Sequence, residues 1–354
     1  MHAERRIVQD MSKPEVSVII VNLNTRDLLR QCLSSVVADR SVMDKEIIVV
    51  DNGSSDDSVP MVRREFPSVL LQVNTWNQRF AQPNNDGMKI AKGDFLFFLN
   101  SDAVINEGTL GALRDFLKAH PQAGACGPLL EYPDGRLQRS VSKFHSPWTH
   151  ICDMLFLDAL FPHTRLFGGG EMMNCPYDPS RSQVVESIMG AAFMVRRQVI
   201  DRTGMFDEKL TVFYNEMDWF RRMRDDGWQV WYAPVTKVQH YRGVTSESMN
   251  RGYQYLGEMY FNVFHYFRKY YGTLGVCTYR FWLAVGFSIR WALWRTRALL
   301  DHSPKTKSSV EYVSRVLAIA LRFWVPIEAY APKMPDNLAE AAEEERSRGQ
   351  NKER

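Results

Sequence analysis

The first hundred residues alternate between continuous apolar runs and segments whose apolar residues recur at helical spacing. Runs of the first kind predict buried strands, and they are EVSVIIVNLN (15–24), EIIVVDN (46–52), SVLLQVN (68–74) and FLFFLNSDA (95–103). Segments of the second kind predict helices, and they are TRDLLRQCLSSVVA (25–38), SVPMVRREF (58–66) and PNNDGMKIAKG (83–93). The alternation predicts an α/β fold with a doubly wound, mostly parallel sheet.

Polar side chains stand at the ends of three predicted strands. They are Asn22 with Asn24, Asp51 with Asn52, and the run Asn100-Ser101-Asp102. The carboxyl ends of parallel strands lie at one edge of a sheet, and ligands bind at that edge in open α/β sheets. The three clusters together therefore predict a binding site. Because Asn, Ser and Asp are also common turn residues, three plain turns are the alternative.

Composition and absent motifs narrow the class of function. The chain has 354 residues, of which 45% are hydrophobic, so it can bury a sizeable core. Its net charge of +3 gives no nucleic-acid signal. No GxGxxG or GxxxxGK[ST] motif occurs, which disfavours dinucleotide oxidoreductases and P-loop enzymes. A diphosphate bound here would need another counter-charge, and a carboxylate such as Asp102 can supply it only by holding a divalent cation, Mg²⁺ or Mn²⁺.

The cysteine pattern and the lack of a recognisable targeting signal in the sequence predict a cytoplasmic protein. The five cysteines are scattered and form no CxxC pair, which argues against a disulfide framework or a zinc site. The N-terminal residues lack the apolar core of a secretory signal. No stretch reaches the ~18 uninterrupted apolar residues of a plain transmembrane helix.

Several motifs, in order along the chain, resemble the family 2 glycosyltransferases of the GT-A fold. They are VSVIIVNLNTRDLLRQCLSSV, EIIVVDNGSSDDSV, NNDGMKIAKGDFLFFLNSDA, ESIMGAAFMVRRQVIDRTGMFDE, FYNEMDWFRRMRDDGWQVWYAP and VQHYRG. The resemblance covers about residues 15–245, and it is strongest to bacterial rhamnosyltransferase-like enzymes that build surface polysaccharides.

This resemblance implies a role for individual residues. Asp51 matches the acid that accepts a hydrogen bond from the pyrimidine base, and Asn100-Ser101-Asp102 matches the DxD-type motif, with Asp102 on the metal. Glu216 stands at the position of the catalytic base, where the family more often has Asp. His240 matches a residue near the diphosphate and the metal. The other residues implied in donor binding are Asn22, Asn24, Asn52, Arg79 and Asn85.

Two acids and two departures from the family pattern need comment. Glu216 and Asp218 are two residues apart and cannot share a helix face, so at most one points into the site; for Asp218 a structural role at the helix start is the alternative. Arg79 replaces a Gly of the family, which either removes a positive-φ position or adds a phosphate-binding cation. The segment MGAA (189–192) also differs slightly from the usual acceptor-side turn, which leaves the acceptor open.

The C-terminal third is basic and aromatic. Residues 251–310 carry nine Lys and Arg against two acids, and FNVFHYFRKYYG is followed by YRFWLAVGFSIRWALWRTRALL. This pattern predicts amphipathic helices in a membrane interface; helices that cap the catalytic domain or pair two subunits are the alternative. The predicted division is an N-terminal extension (1–14), a catalytic domain (15–245, with halves 15–105 and 106–245), these helices (246–335) and a charged tail (336–354).

The predicted function is an inverting, metal-dependent sugar transfer in bacterial surface polysaccharide synthesis. The expected donor is dTDP-L-rhamnose, and the expected acceptor is a saccharide or a polyprenyl-linked saccharide. The expected location is the inner face of the plasma membrane, with no nucleic-acid partner. A UDP-hexose donor, or a non-catalytic membrane-bound scaffold of the same fold, is the alternative.

Overall fold

The computed structural model describes residues 13–161, 164, 166–167, 177–211, 213–241 and 253–331. Most of the predicted N-terminal extension and the whole charged tail lie outside these residues. The division into domains stays a prediction.

The first half of the chain forms the strand–helix alternation that the apolar pattern predicts. Its elements are β1 (Val16–Asn22), α1 (Arg26–Ala38), β2 (Lys45–Asn52), α2 (Ser58–Glu65), β3 (Leu70–Asn74), α3 (Ala81–Ile90), β4 (Phe95–Asn100), β5 (Ala103–Ile105), α4 (Thr109–Ala119) and β6 (Ala123–Glu131). Short elements follow: β7 (Leu137–Gln138), β8 (Val141–Ser142), α5 (Pro147–Met154) and α6 (Leu157–Leu160).

The second half adds further strands and the C-terminal helices. Its elements are β9 (Gln183–Val185), β10 (Ser187–Ile188), β11 (Ala192–Arg196), α7 (Arg197–Thr203), α8 (Asn215–Asp225), β12 (Gln229–His240), α9 (Tyr253–Ala298) and α10 (Pro304–Leu321). A 3₁₀ turn, Ile327–Tyr330, follows α10. Helix α9 is interrupted at Gly272, whose φ of +63° lies in the left-handed region.

The main sheet is mixed, with the strand order β3-β2-β1-β4-β11-β6-β12-β5. Strands β1 to β4 are parallel to one another, whereas β11 runs antiparallel to β4 and to β6. Because β11 enters the sheet in the opposite direction, its first residues lie beside the last residues of β4. The mostly parallel sheet is thus confirmed, with an antiparallel insertion at its centre.

Both faces of the sheet are buried, as expected for parallel strands covered by helices. One face packs on α1, α2 and α4 through Leu29, Met61 and Leu110. The other face packs on α3, α7 and α8, and the same core extends without a break into α9 and α10, for example through Phe264 and Val316.

The C-terminal helices are confirmed, and the first part of α9 packs against the core of the α/β domain. Its aromatic side chains Tyr260, Phe264, Tyr266 and Phe267 are buried in the core. The aromatic pattern there is explained by packing and not by lipid contact. Among the described residues, no helix combines the length and apolar character needed to cross a bilayer.

Candidate active site

The three predicted polar clusters meet at one edge of the sheet. Asn22 at the end of β1 is paired in register with Asp51 of β2, and Val21 is paired with Asn100 of β4. The parallel arrangement brings the three strand ends together, as the sequence predicts.

A network of hydrogen bonds fixes the side chains at this edge. Asp51 Oδ2 accepts from Asn22 Nδ2 at 2.9 Å and from Ser54 Oγ at 2.6 Å. Thr25 Oγ1 donates to Asn22 Oδ1 at 2.7 Å and lies 2.9 Å from Ser101 Oγ. Asn22 and Asp51 are almost fully buried, so the network joins the strand ends rigidly. Thr25 suits a helix N-cap by sequence, but its side chain belongs to this network and caps no helix.

Asn24 holds the loop that follows β2. It has a φ of +53°, and its Oδ1 accepts from the backbone N–H groups of Ser55 at 2.7 Å and Asp56 at 3.2 Å. Asn tolerates this left-handed conformation better than most residues. The exposed Asn24 therefore shapes the rim of the edge beside Asp51.

Asn52 and Arg79 form a second part of the edge. Asn52 Nδ2 donates to Asn77 Oδ1 at 3.0 Å and to the carbonyl of Arg79 at 2.7 Å, while Asn52 Oδ1 accepts from Gln78 N–H at 2.9 Å. The amide of Asn52 thus holds the loop and has little capacity left for a ligand.

The concern that Arg79 removes a positive-φ position is wrong. Arg79 itself has a φ of +70°, a conformation held by the bonds from Asn52. Its guanidinium is paired with Glu258 of α9, with 2.9 Å between Nε and Oε1. The cation is therefore already neutralised within the fold, which weakens its case as a free phosphate ligand.

Asn85 lies in α3, and its amide is used inside the protein. Nδ2 donates to the carbonyl of Phe206 and to Glu208 Oε1, both at 3.0 Å, and Oδ1 accepts from Phe206 N–H at 3.0 Å. These bonds use both donors, so one lone pair of Oδ1 is all that is left for the predicted contact with a donor.

Asp102 and His240 face each other across the edge. Asp102 Oδ1 lies 3.3 Å from His240 Nε2, and both side chains are buried. His240 Nδ1 lies 2.8 Å from Gln138 Oε1. Because an amide oxygen only accepts, Nδ1 carries a hydrogen, and in the neutral ring Nε2 has the lone pair.

This pair fits a divalent cation. A carboxylate oxygen and an imidazole nitrogen lie side by side, and Gln138 orients the ring as outer-shell partners of metal ligands do. Asn100 Nδ2 also lies 3.4 Å from His240 Nε2. Among the described residues, no group of three or more His, Cys, Asp or Glu side chains is arranged to hold a metal ion. Two protein ligands suit Mg²⁺ or Mn²⁺, which keep several water or phosphate ligands.

Glu216 lies in the first turn of α8 and reaches the same edge. A Cβ built on Gly190 would lie 1.8 Å from Glu216 Oε1, so the carboxylate rests against the bare backbone of Gly190. The next residue, Ala191, accepts a hydrogen bond from Asn100 N–H at 2.9 Å. Glu216 is thereby placed beside the strand end that carries Asp102.

The environment of Glu216 makes it a weaker acid than usual. Burial raises the pKa of its carboxyl from 4.5 to about 7, and among the described residues no cation pairs with it to offset this. Two consecutive residues with a φ of +60°, Phe213 and Tyr214, turn the chain into α8. Such strained backbone clusters at functional sites, and here it delivers Glu216 to the edge.

Asp218 points away from Glu216 and has a structural role. It is fully buried and accepts from Arg222 Nε at 2.9 Å and Tyr270 OH at 2.8 Å, with Lys269 Nζ at 2.7 Å. These contacts anchor α9 on α8, so the role of Asp218 is structural, but it rests on contacts between two helices and not on the start of α8 that the sequence analysis considered.

Sequence reasoning missed Thr25, Ser54 and Gln138 as residues of the site. The first two follow strand ends and could have been found by extending the predicted clusters by a few residues. Gln138 reaches the edge through the pairing of β6 with β7 and β12, and no local signal marks it. Gly190 lies in the segment MGAA (189–192), which the resemblance places on the acceptor side, but its contact with Glu216 could not be predicted.

Comparison with known proteins agrees with this architecture. Residues 17–178 match the family model described as Glycosyl transferase family 2. An N-acetylglucosaminyl-diphospho-decaprenol L-rhamnosyltransferase of Mycobacterium tuberculosis is 24% identical over 211 residues, which cover 55% of this chain and 66% of that protein. The O-antigen biosynthesis protein RfbC of Myxococcus xanthus is 26% identical over 236 residues, 66% of this chain and 18% of RfbC. The chain spans less than two thirds of each relative's length.

A solved structure shows the same fold. The mannosyltransferase PcManGT from Pyrobaculum calidifontis, in complex with GDP-Man and Mn²⁺, has a TM-score of 0.50 and 16% identity, covering 88% of this chain and 87% of that one. At this identity the likeness supports the predicted GT-A architecture and nothing finer.

Proposed function

We propose that this chain, whose residues 17–178 match the family 2 glycosyltransferase model, moves a sugar from a nucleotide diphosphate to an acceptor hydroxyl with inversion at the anomeric carbon. The observation that carries the proposal is the placement of Glu216, a carboxyl with a pKa near 7, beside the edge that holds Asp102 and His240. The family match favours an enzyme over a scaffold of the same fold.

The donor nucleotide lies over the ends of β1, β2 and β4 in this proposal. Asp51 accepts the imide N–H of a pyrimidine base through a lone pair that the network leaves free, while Asn22, Asn24 and Asn52 hold the surrounding loops. Asp102 and His240 hold the divalent cation, with Asn100 and Ser101 completing the strand end. When bound, that cation neutralises charge on the departing diphosphate.

Glu216 acts as the general base. Its carboxylate takes the proton of the acceptor hydroxyl, the oxygen forms a bond to the anomeric carbon, and the bond from that carbon to the diphosphate oxygen breaks on the opposite face. A base is most effective when its pKa is near the working pH. The pKa of about 7 therefore suits this role better than the 4.5 of an ordinary Glu.

We propose dTDP-L-rhamnose as the donor and a saccharide or polyprenyl-diphosphate-linked saccharide as the acceptor. The support is the M. tuberculosis relative, whose name states both an L-rhamnosyl group and a lipid-linked acceptor. A UDP-hexose is the alternative donor, since either pyrimidine presents the same imide N–H to Asp51.

The test is a transfer assay with dTDP-L-rhamnose and UDP-glucose, each with Mn²⁺. Release of dTDP or UDP is measured with a free N-acetylglucosamine glycoside and with its polyprenyl-diphosphate form. We expect acceptor-dependent release of dTDP, greater with the lipid-linked acceptor. Release of UDP alone would replace the proposed donor, and no release from either donor by a folded protein would contradict transfer to these acceptors.

We also propose that the distal end of the C-terminal helices binds an anionic lipid surface. Three leucines at this end are 61%, 76% and 91% exposed: Leu293, Leu299 and Leu300. Four exposed cations lie close to them in the sequence: Arg295, Arg297, Lys305 and Lys307. The one acid of this stretch, Asp301, pairs with Arg297. Exposed apolar side chains interspersed with basic ones suit the boundary of an anionic membrane, which would bring the enzyme to a lipid-linked acceptor at the inner face.

Vesicle sedimentation tests this surface. The protein should sediment with phosphatidylglycerol vesicles and not with phosphatidylcholine vesicles, and the L299D/L300D variant should remain in the supernatant. The control M43D changes an exposed residue in the segment just before β2. This variant should bind the vesicles like the unaltered protein. Unchanged binding of L299D/L300D would contradict the assignment; a concentration-dependent dimer that this variant abolishes would assign the surface to a second subunit instead.

A further inference from the structure

A buried ion pair joins the loop after β3 to the first turns of α9. Arg79 Nε donates to Glu258 Oε1 at 2.9 Å, and the two side chains are only 13% and 6% exposed. Exposed ion pairs contribute little to the stability of the fold, but breaking a buried ion pair leaves a buried charge without its partner. This contact therefore fixes the loop and the helix relative to each other.

A second polar contact connects the same two elements. Phe80 N–H donates to the carbonyl of Thr211 at 3.2 Å, and Thr211 N–H donates to Asn262 Oδ1 at 3.1 Å. Glu258 and Asn262 are four residues apart and share one face of α9. One face of the helix thus holds the loop at two adjacent positions.

The other side of the loop is attached to the donor edge. Asn52 Nδ2 donates to the carbonyl of Arg79 at 2.7 Å and supports its φ of +70°. Asn52 directly follows Asp51, the residue proposed to bind the nucleotide base. Continuous contacts therefore run from Glu258 through Arg79 and Asn52 to Asp51.

We propose that Glu258 is a positioning residue for the donor nucleotide, acting through Arg79 and Asn52. The inference rests on the proposed donor site at this edge. In this proposal α9 supports the donor site, although the helix lies far along the chain from the strand ends. If Glu258 instead occupied Arg79 as a competitor of the donor diphosphate, removing its charge would have the opposite effect on nucleotide binding.

Calorimetry with UDP and dTDP in the presence of Mn²⁺ tests this role. We expect E258Q to bind the preferred nucleotide about tenfold more weakly, as is typical when a supporting residue of a ligand site is lost. R79Q should weaken binding similarly, and the double variant should be no weaker than either single variant. The control E328Q removes an exposed ion pair between Glu328 and Arg268 of α9. The nucleotide affinity of this variant should not change.

Thermal unfolding separates positioning from a purely structural role. A lower melting temperature of E258Q with unchanged nucleotide affinity would overturn the proposal, and so would tighter binding, which indicates competition. If E258Q does not fold, E258D keeps the charge with a shorter reach and should show a smaller weakening; unchanged affinity of E258D then counts against the role. Absence of nucleotide binding by the unaltered protein would reject the donor site itself, a result distinct from all of these.

Discussion

Replacement of Glu216 by Gln removes the proposed base and keeps the shape of the side chain. A positioned general base contributes about 10²–10⁴ in rate, so turnover of the E216Q variant should fall by that factor. Nucleotide binding should be retained, because Glu216 is not among the residues that hold the donor. In the unaltered enzyme, kcat/KM should rise with pH through about 7, as the carboxyl loses its proton.

At alkaline pH the E216Q variant should be more stable than the unaltered protein. Burial raises the pKa of Glu216 from 4.5 to about 7, so between these values the folded state binds more protons than the unfolded state. The stability of the unaltered protein therefore falls as the pH rises through that window. The full shift corresponds to about 3 kcal/mol, and solvent on the exposed side of the partly buried carboxyl reduces this to about 1–2 kcal/mol.

The assays are initial rates of nucleotide release from pH 5.5 to 8.5 and urea unfolding at pH 5 and pH 8. The control is D225N, an exposed acid on the same helix, which should keep both the activity and the pH profile. An E216Q variant that retains most of its turnover would refute the role of Glu216 as base. An equal stability of E216Q and the unaltered protein at pH 8 would refute the raised pKa.

Two further substitutions test how the site is held. G190A introduces a methyl group into the space of the Glu216 carboxylate and should lower kcat at least tenfold by displacing the base. The control G257A adds a methyl group that faces open space and should leave kcat unchanged. Equal rates of the two variants would contradict the placement of Glu216. D218N removes a buried carboxylate that accepts from Arg222 and Tyr270, and it should lower the free energy of unfolding by about 1–3 kcal/mol in urea titrations. D225N should change that free energy by less than about 0.5 kcal/mol; an equally small effect of D218N would mean that α9 is not anchored through Asp218.

The strand ends could be predicted from the sequence because their signal is local. A continuous apolar run marks a buried strand, and parallel order brings the polar residues after each run to one edge. Asn22, Asp51 and Asn100 meet for this reason. The C-terminal helices were predictable from another local signal, the basic residues among the aromatic ones of residues 251–310.

Contacts between distant parts of the chain could not be predicted. The antiparallel entry of β11 places Gly190 beside Asn100, and no local pattern reports strand direction. Gln138 and His240 meet because β6 pairs both with β7, which carries Gln138, and with β12, which carries His240. The aromatic residues of α9 have the same composition whether they face lipid or a protein core, so the burial of Phe264 emerged only from the structure.

The most direct test of the account is calorimetric binding of dTDP and UDP to the unaltered protein and to D102N, first with Mn²⁺ and then with EDTA. We predict binding that requires the metal and that D102N weakens at least tenfold, whereas the exposed control D134N binds normally. Binding of equal affinity in EDTA, or an unchanged affinity of D102N in Mn²⁺, would contradict a metal-dependent donor site at the end of β4.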